Sequence, residues 1–158
     1  MGSEMCIRDR FYGGAVQVIA GVVEYAKGNA FGGLAFCSYG AFWMAYWYLS
    51  THLSLMPKAT PSDISRGIGL FLLAWTIFTA YMFIVSFRTN AALVITFGVL
   101  TAALTALTIA DLTVNPEITK IGGWLGIVTA FLAWYTSFAG VMNATAGRVV
   151  LPVMPLKK

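Results

Sequence analysis

The sequence predicts an all-α integral membrane protein, a helical bundle with four full transmembrane helices and a partial one. Three observations carry this. Hydrophobic residues make up 59% of the chain and charged residues 10%, whereas a soluble domain has about 25% charged residues with which to cover its surface. Four apolar runs are each about 20 residues long, the length that crosses a hydrocarbon core of about 30 Å at 1.5 Å per residue. The charged residues collect in the connectors between those runs, together with Gly, Pro and Asn.

The first ten residues, MGSEMCIRDR, are polar and non-periodic. No apolar core and no small-residue cleavage site follow their charges, so they read as a non-native leader, 1–10, and not as a targeting peptide. The next run, 11–23, is too short to span and begins without a cap or anchor. It predicts a partial helix whose first half is missing, in a chain truncated at its N-terminus.

The stretch EYAKGNAFGG then interrupts the apolar sequence. It predicts a water-exposed turn in which Glu24 and Lys27 stay hydrated while Gly28 and Asn29 supply left-handed backbone angles. The full-length runs follow at 31–50, 64–86, 91–110 and 121–142. They hold no Asp, Glu, Lys or Arg except Arg66 near one end. They are too long for strands and do not alternate, and a helix satisfies its own backbone in lipid. Ser62 or Asp63 is expected to cap the second full run. FRTN reads as a tight turn, and the Asn-Pro of DLTVNPEITK as another.

Alternation of the connectors puts Lys27, Arg88, Arg148, Lys157 and Lys158 on one side. Lys58, Arg66 and Lys120 fall on the other, with Asp63, Asp111 and Glu117. The positive-inside rule then assigns the C-terminus to the cytoplasm, provided that Arg8 and Arg10 belong to the leader. The net charge of +4 is scattered, which argues against nucleic acid as a partner. Cys6, Cys37 and His52 have no metal-like spacing, and no nucleophile elbow, phosphate loop or paired carboxylates occur. The expectation is neither an enzyme nor a cofactor or metal protein.

With no charge inside the full-length runs, weakly polar groups are the candidates for handling a solute. Thr101, Thr105 and Thr108 share a helix face, as do Gly126, Thr129, Ala133, Ser137 and Gly140. Two readings stand for each stripe. The hydroxyls bond back to their own helix and the small residues let helices pack closely, or the two stripes line a narrow path. Gln17, the amide of the first run, and Tyr39 beside Ser38 each need a polar partner in protein or water. Trp43, Tyr46, Trp47 and Tyr48 read as interfacial anchors.

The stretch FYGGAVQVIAGVVEYAKGNAFGGLAFCSYGAFW contains Gly13, Gly14, Gln17, Glu24, Tyr25, Gly28, Asn29, Ser38, Tyr39 and Gly40. It resembles the acetate uptake transporter family, the acetate/succinate–proton symporters. GRVVLP near the C-terminus and Gly123-Trp124 fit the same family, so that the likeness runs from residue 11 to about 152. The resemblance implies a transporter domain at 11–152 with a cytoplasmic tail at 153–158. It also implies six helices in the complete fold, both termini in the cytoplasm, and a homohexamer in the plasma membrane. Acetate and related carboxylates, succinate among them, would pass through each protomer with a proton or as the neutral acid. It further implies an apolar constriction to which Tyr39 and Leu100 contribute, with Ala133 facing the path. The family's Asn-Pro-Ala-Pro-Leu-Gly segment and first helix are absent from this sequence. A non-transporting membrane interaction subunit and a channel for ammonia or urea are the competing expectations.

Overall fold

The computed structural model describes the backbone of residues 8–53 and 59–156, with side chains from residue 12 onward except that of residue 53. Of the 1–10 leader, residues 1–7 lie outside the described residues, as do the 54–58 connector and residues 157–158, while residues 8–10 open the first helical segment. The described chain is helical throughout, apart from short connectors and a C-terminal segment. It divides into two compact units, Met1–Ile64 and Ser65–Lys158.

In the first unit a π-helical segment, Arg8–Val16, runs directly into α1, Gln17–Ala26. The chain turns at Lys27–Gly28 and continues as α2, Ala30–Leu53. The turn uses the expected residues in partly different roles. Gly28 takes the left-handed conformation at φ +79°. Asn29 instead caps α2, its Oδ1 accepting from the Gly32 amide at 3.0 Å while its side-chain amide donates to the Glu24 carboxylate. Glu24 thus has a protein partner.

The motif glycines bring these helices together. A Cβ at Gly40 would lie 2.8 Å from the Gly14 carbonyl and 2.7 Å from Val18 Cγ2. One at Gly21 would lie 2.6 Å from the Cys37 amide, and one at Gly33 2.5 Å from the Tyr25 ring. These approaches are closer than any side chain permits, as expected where helices associate in lipid through small residues. The Cys37 thiol donates to the Val18 carbonyl at 3.6 Å.

The next helix, α3, spans Pro61–Ser86 and begins at the boundary between the units. Its cap differs from expectation. Thr60 is the capping residue, its Oγ1 accepting from the Asp63 amide at 3.2 Å while Asp63 Oδ2 accepts from the Thr60 amide at 3.1 Å. Pro61 occupies the first helical position, where a missing N–H costs nothing, and this places the cap one residue before Pro61.

The second unit continues with α4, Ala91–Thr113, and α5, Pro116–Ala146. Asn90 caps α4 through Leu93 N at 2.9 Å, and Asn115 caps α5 through Glu117 N at 3.0 Å. Only Val114 and Asn115 separate these two helices, and Val114 adopts φ +53° to make the reversal. The core holds Leu72, Met82, Phe97 and Leu104 with Thr79, Thr96, Thr108 and Thr129; among the described residues the buried polar ones are threonines and a serine. Large apolar side chains face outward, Trp124 and Trp134 at 69% exposure and Ile84 at 68%. That inverted distribution suits lipid as the solvent. Helices α3, α4 and α5 are each long and apolar enough to cross a membrane.

The segment after α5 is a strap. Gly147 ends the helix at φ +62°. Asn143 then clasps the returning chain, Oδ1 accepting from Val150 N and Leu151 N at 2.7 and 2.9 Å while Nδ2 donates to the Leu151 carbonyl at 2.8 Å. Beyond it, the Met154 and Val153 carbonyls accept from Ala91 N and Ala92 N at 2.9 and 3.3 Å. With Asn90 they serve the free amides at the start of α4.

Candidate functional site

A helix in lipid has no water to satisfy its hydroxyls, so each hydroxyl must find a carbonyl or another side chain. In α4 the Thr101 hydroxyl donates to the Phe97 carbonyl and the Thr105 hydroxyl to the Thr101 carbonyl, each at 2.7 Å. Thr108 is buried and meets Thr76 of α3 at 2.9 Å. The Thr76 proton goes to the Leu72 carbonyl at 2.9 Å. With one proton per hydroxyl, Thr108 is therefore the donor of the interhelical bond. Thr101 and Thr105 thus bond back to their own helix, whereas Thr108 joins two helices.

Thr101 and Thr105 also share an open groove of about 540 Å³ whose lining comes from α3, α4 and α5. Its walls are otherwise apolar: Phe83, Ala102, Ala106 and Ile109 are representative, and Gly98 lies against the Phe83 ring. Leu100, half-buried on α4, and Ala133, exposed on α5, lie outside this groove. On the second stripe only Thr129 is buried, and it donates to the Leu125 carbonyl at 2.8 Å. Gly126 and Gly140 face open space.

In the first unit Tyr39 and Ser38 are half-buried on α2, and Gln17 is half-buried at the start of α1. Gly13 and Gly14 sit in the π-helical segment. Within this unit the motif residues Glu24, Tyr25, Gly28, Asn29 and Gly40 act in packing and capping.

Sequence reasoning missed the strap. A cavity of about 160 Å³ lies between the strap, the start of α4 and the second half of α5, lined by Ala91, Ile95, Leu132, Tyr135, Pro152 and Met154 among others. Tyr135 Oη donates to the Pro152 carbonyl at 2.7 Å. An asparagine and a tyrosine near the end of a helix, followed by Gly and Pro, were the available signal.

The chain matches the sequence profile of the GPR1/FUN34/yaaH family over residues 8–158. The chain belongs to the GPR1/FUN34/yaaH family. This family member is 37% identical to the succinate-acetate/proton symporter SatP of Escherichia coli K12 over 145 residues, covering 90% of this chain and 75% of that protein. It is 36% identical over 139 residues to the ammonia transport outward protein 2 of Saccharomyces cerevisiae, covering 83% of this chain and 48% of that one. Its fold matches the structure of the bacterial acetate channel SatP with a TM-score of 0.86 at 34% identity, covering 94% of this chain and 81% of the other. The chain spans about half the length of the yeast relatives it matches.

Proposed function

We propose that the protein moves acetate and related short-chain carboxylates, with succinate within range, across the plasma membrane, together with a proton or as the neutral acid. It acts as a transporter or channel and performs no enzymatic chemistry. The observation that carries this reading is the fold match to the bacterial acetate channel across 94% of the chain. The bacterial relative named as a succinate-acetate/proton symporter supports the same substrate class.

The physical argument agrees. The full-length apolar runs contain no carboxylate or lysine to relay a proton separately. An acetate anion would lose its hydration in an apolar neck without compensation, whereas the acid carries its own neutralising proton. In this reading residues 11–152 form the transport domain, with α2 the fourth full crossing beside α3, α4 and α5, and α1 with its π-helical lead a partial one. Residues 153–158 lie at the cytoplasmic face, as the distribution of Lys and Arg favours. Tyr39 and Leu100 contribute to the constriction, Ala133 faces the path, and six copies assemble.

Labelled-acetate uptake by the protein as its cell makes it, followed across external pH, tests this reading. Uptake that follows the concentration of acetic acid supports it; uptake that follows the anion overturns the neutral-acid route. The yeast relative named for ammonia transport favours a second reading, a path for ammonia. Labelled methylammonium uptake without acetate uptake would establish that reading in place of the first.

A further inference from the structure

The two ends of the second unit treat charge differently. At one end Lys120 Nζ donates to the Glu117 carboxylate at 2.8 Å, and Asp111 Oδ1 accepts from the Ser65 hydroxyl at 3.3 Å. At the other end lie the α3–α4 turn and the strap. The stretches 84–92 and 143–158 hold Arg88, Arg148, Lys157 and Lys158 and contain no Asp or Glu. Among the described residues, the exposed Arg88 side chain makes no ion pair or hydrogen bond. The strap concentrates charge here. Leu156 N donates to the Thr89 carbonyl at 3.0 Å, and Pro155 pairs with Asn90. The residue before Lys157 is thereby held against the residue after Arg88. Arg88 also follows closely on the end of a helix long enough to cross a membrane, since α3 closes at Ser86. Beside it Phe87 is 51% exposed, and Met154 on the strap is 64% exposed. Apolar side chains turned outward next to an unpaired cation suit a membrane interface, where acyl chains meet the first and head groups the second.

We propose that this end of the second unit is a docking surface for anionic phospholipid, with the Arg88 guanidinium on the head-group phosphate and the strap holding further positive charge beside it. A guanidinium presents paired N–H donors that match two phosphate oxygens. A zwitterionic head group brings its own cation and gains little from a surface that has no acid, whereas an anionic one supplies the missing counter-charge. A soluble anion meets the same donors but makes no use of Phe87 and Met154, which a lipid covers with its acyl chains. The inference rests on the membrane reading of the fold and on no particular solute.

The test uses the protein expressed from its full gene and purified in a nonionic detergent. It is titrated with dioleoylphosphatidylglycerol or dioleoylphosphatidylcholine, and bound lipid is read by native mass spectrometry. The parent should retain phosphatidylglycerol in preference to phosphatidylcholine. Arg88→Gln should weaken phosphatidylglycerol binding roughly fivefold, and Lys157→Gln with Lys158→Gln in an intact Arg88 background roughly 25-fold, as each cation contributes separately at an anionic surface. Asn143→Ala removes no charge but frees the strap, and should weaken binding at least threefold. Lys120→Gln, at the opposite end, should change nothing. Equal binding of the two lipids by the parent would overturn the proposal, as would parental affinity in both the Arg88 and the double-lysine variants. Parental affinity in Asn143→Ala would remove the strap from it. An equal loss in Lys120→Gln would show attraction by total charge and no surface at this end. Displacement of the lipid by inorganic phosphate at equal concentration would make this a site for a soluble anion and overturn the lipid assignment.

Discussion

Tyr135 on α5 holds the Pro152 carbonyl at 2.7 Å, and the two residues that follow Pro152 accept from the first two amides of α4. One phenol thus helps to hold the segment that completes the start of another helix. A neutral hydrogen bond of this kind contributes about 0.5–1.5 kcal/mol net. Tyr135→Phe should therefore raise the hydrogen-exchange rates of the Ala91 and Ala92 amides by roughly twofold to tenfold. Exchange in the middle of α4 should not change. Unaltered rates at Ala91 and Ala92 would show that the strap holds without Tyr135.

Asn143 makes three bonds to the same segment. Asn143→Ala should loosen it more than Tyr135→Phe does, by about 1–3 kcal/mol, because two amides and a carbonyl lose a partner together. Limited proteolysis of the C-terminal segment provides the measurement, with the alanine variant cut fastest. Equal cutting of both variants would contradict this ranking.

Gly40 and Gly123 make opposite predictions. At Gly40 a methyl group would run into the Gly14 carbonyl and the Val18 amide, backbone atoms that cannot step aside; at Gly123 it would meet nothing within 4 Å. Gly40→Ala should cost about 1–3 kcal/mol by overpacking. Gly123→Ala should be neutral, or stabilising by up to about 1 kcal/mol through helix propensity. Thermal unfolding in detergent separates them, and similar midpoints would argue against the close α1–α2 approach.

Val114 is β-branched and sits at φ +53°. Such a residue in the left-handed region is strained by about 1–2 kcal/mol. Val114→Asn should raise the stability by about 0.5–1 kcal/mol, since asparagine tolerates this conformation without glycine's loss of chain entropy. A lowered unfolding midpoint would mean that the valine side chain contributes contacts that outweigh the strain.

The Thr76–Thr108 bond joins α3 to α4. A double-mutant cycle with valine at both positions should give a coupling near 0.6 kcal/mol, the average for interhelical polar pairs in membranes. A coupling indistinguishable from zero would leave this contact as packing alone.

Much of the architecture was legible along the chain. An uninterrupted apolar run of about 20 residues has one way to satisfy its backbone in lipid, so the runs at 64–86, 91–110 and 121–142 became α3, α4 and α5. Gly28 and the Asn-Pro pair marked turns because their backbone preferences are local. The capping residue of α3 was misplaced by local ambiguity: three adjacent polar residues could each cap, and only the position of Pro61 and the reciprocal Thr60–Asp63 bonds decide among them.

The sequence by itself determined the solvent, the helices and the turns, since each follows from the hydration and dihedral preferences of neighbouring residues. Tertiary structure decided which glycine meets which backbone, where Thr108 sends its proton, and how residues 150–156 return to the start of α4. Those outcomes depend on atoms far apart in the chain that come within hydrogen-bonding or van der Waals range only once the helices are packed.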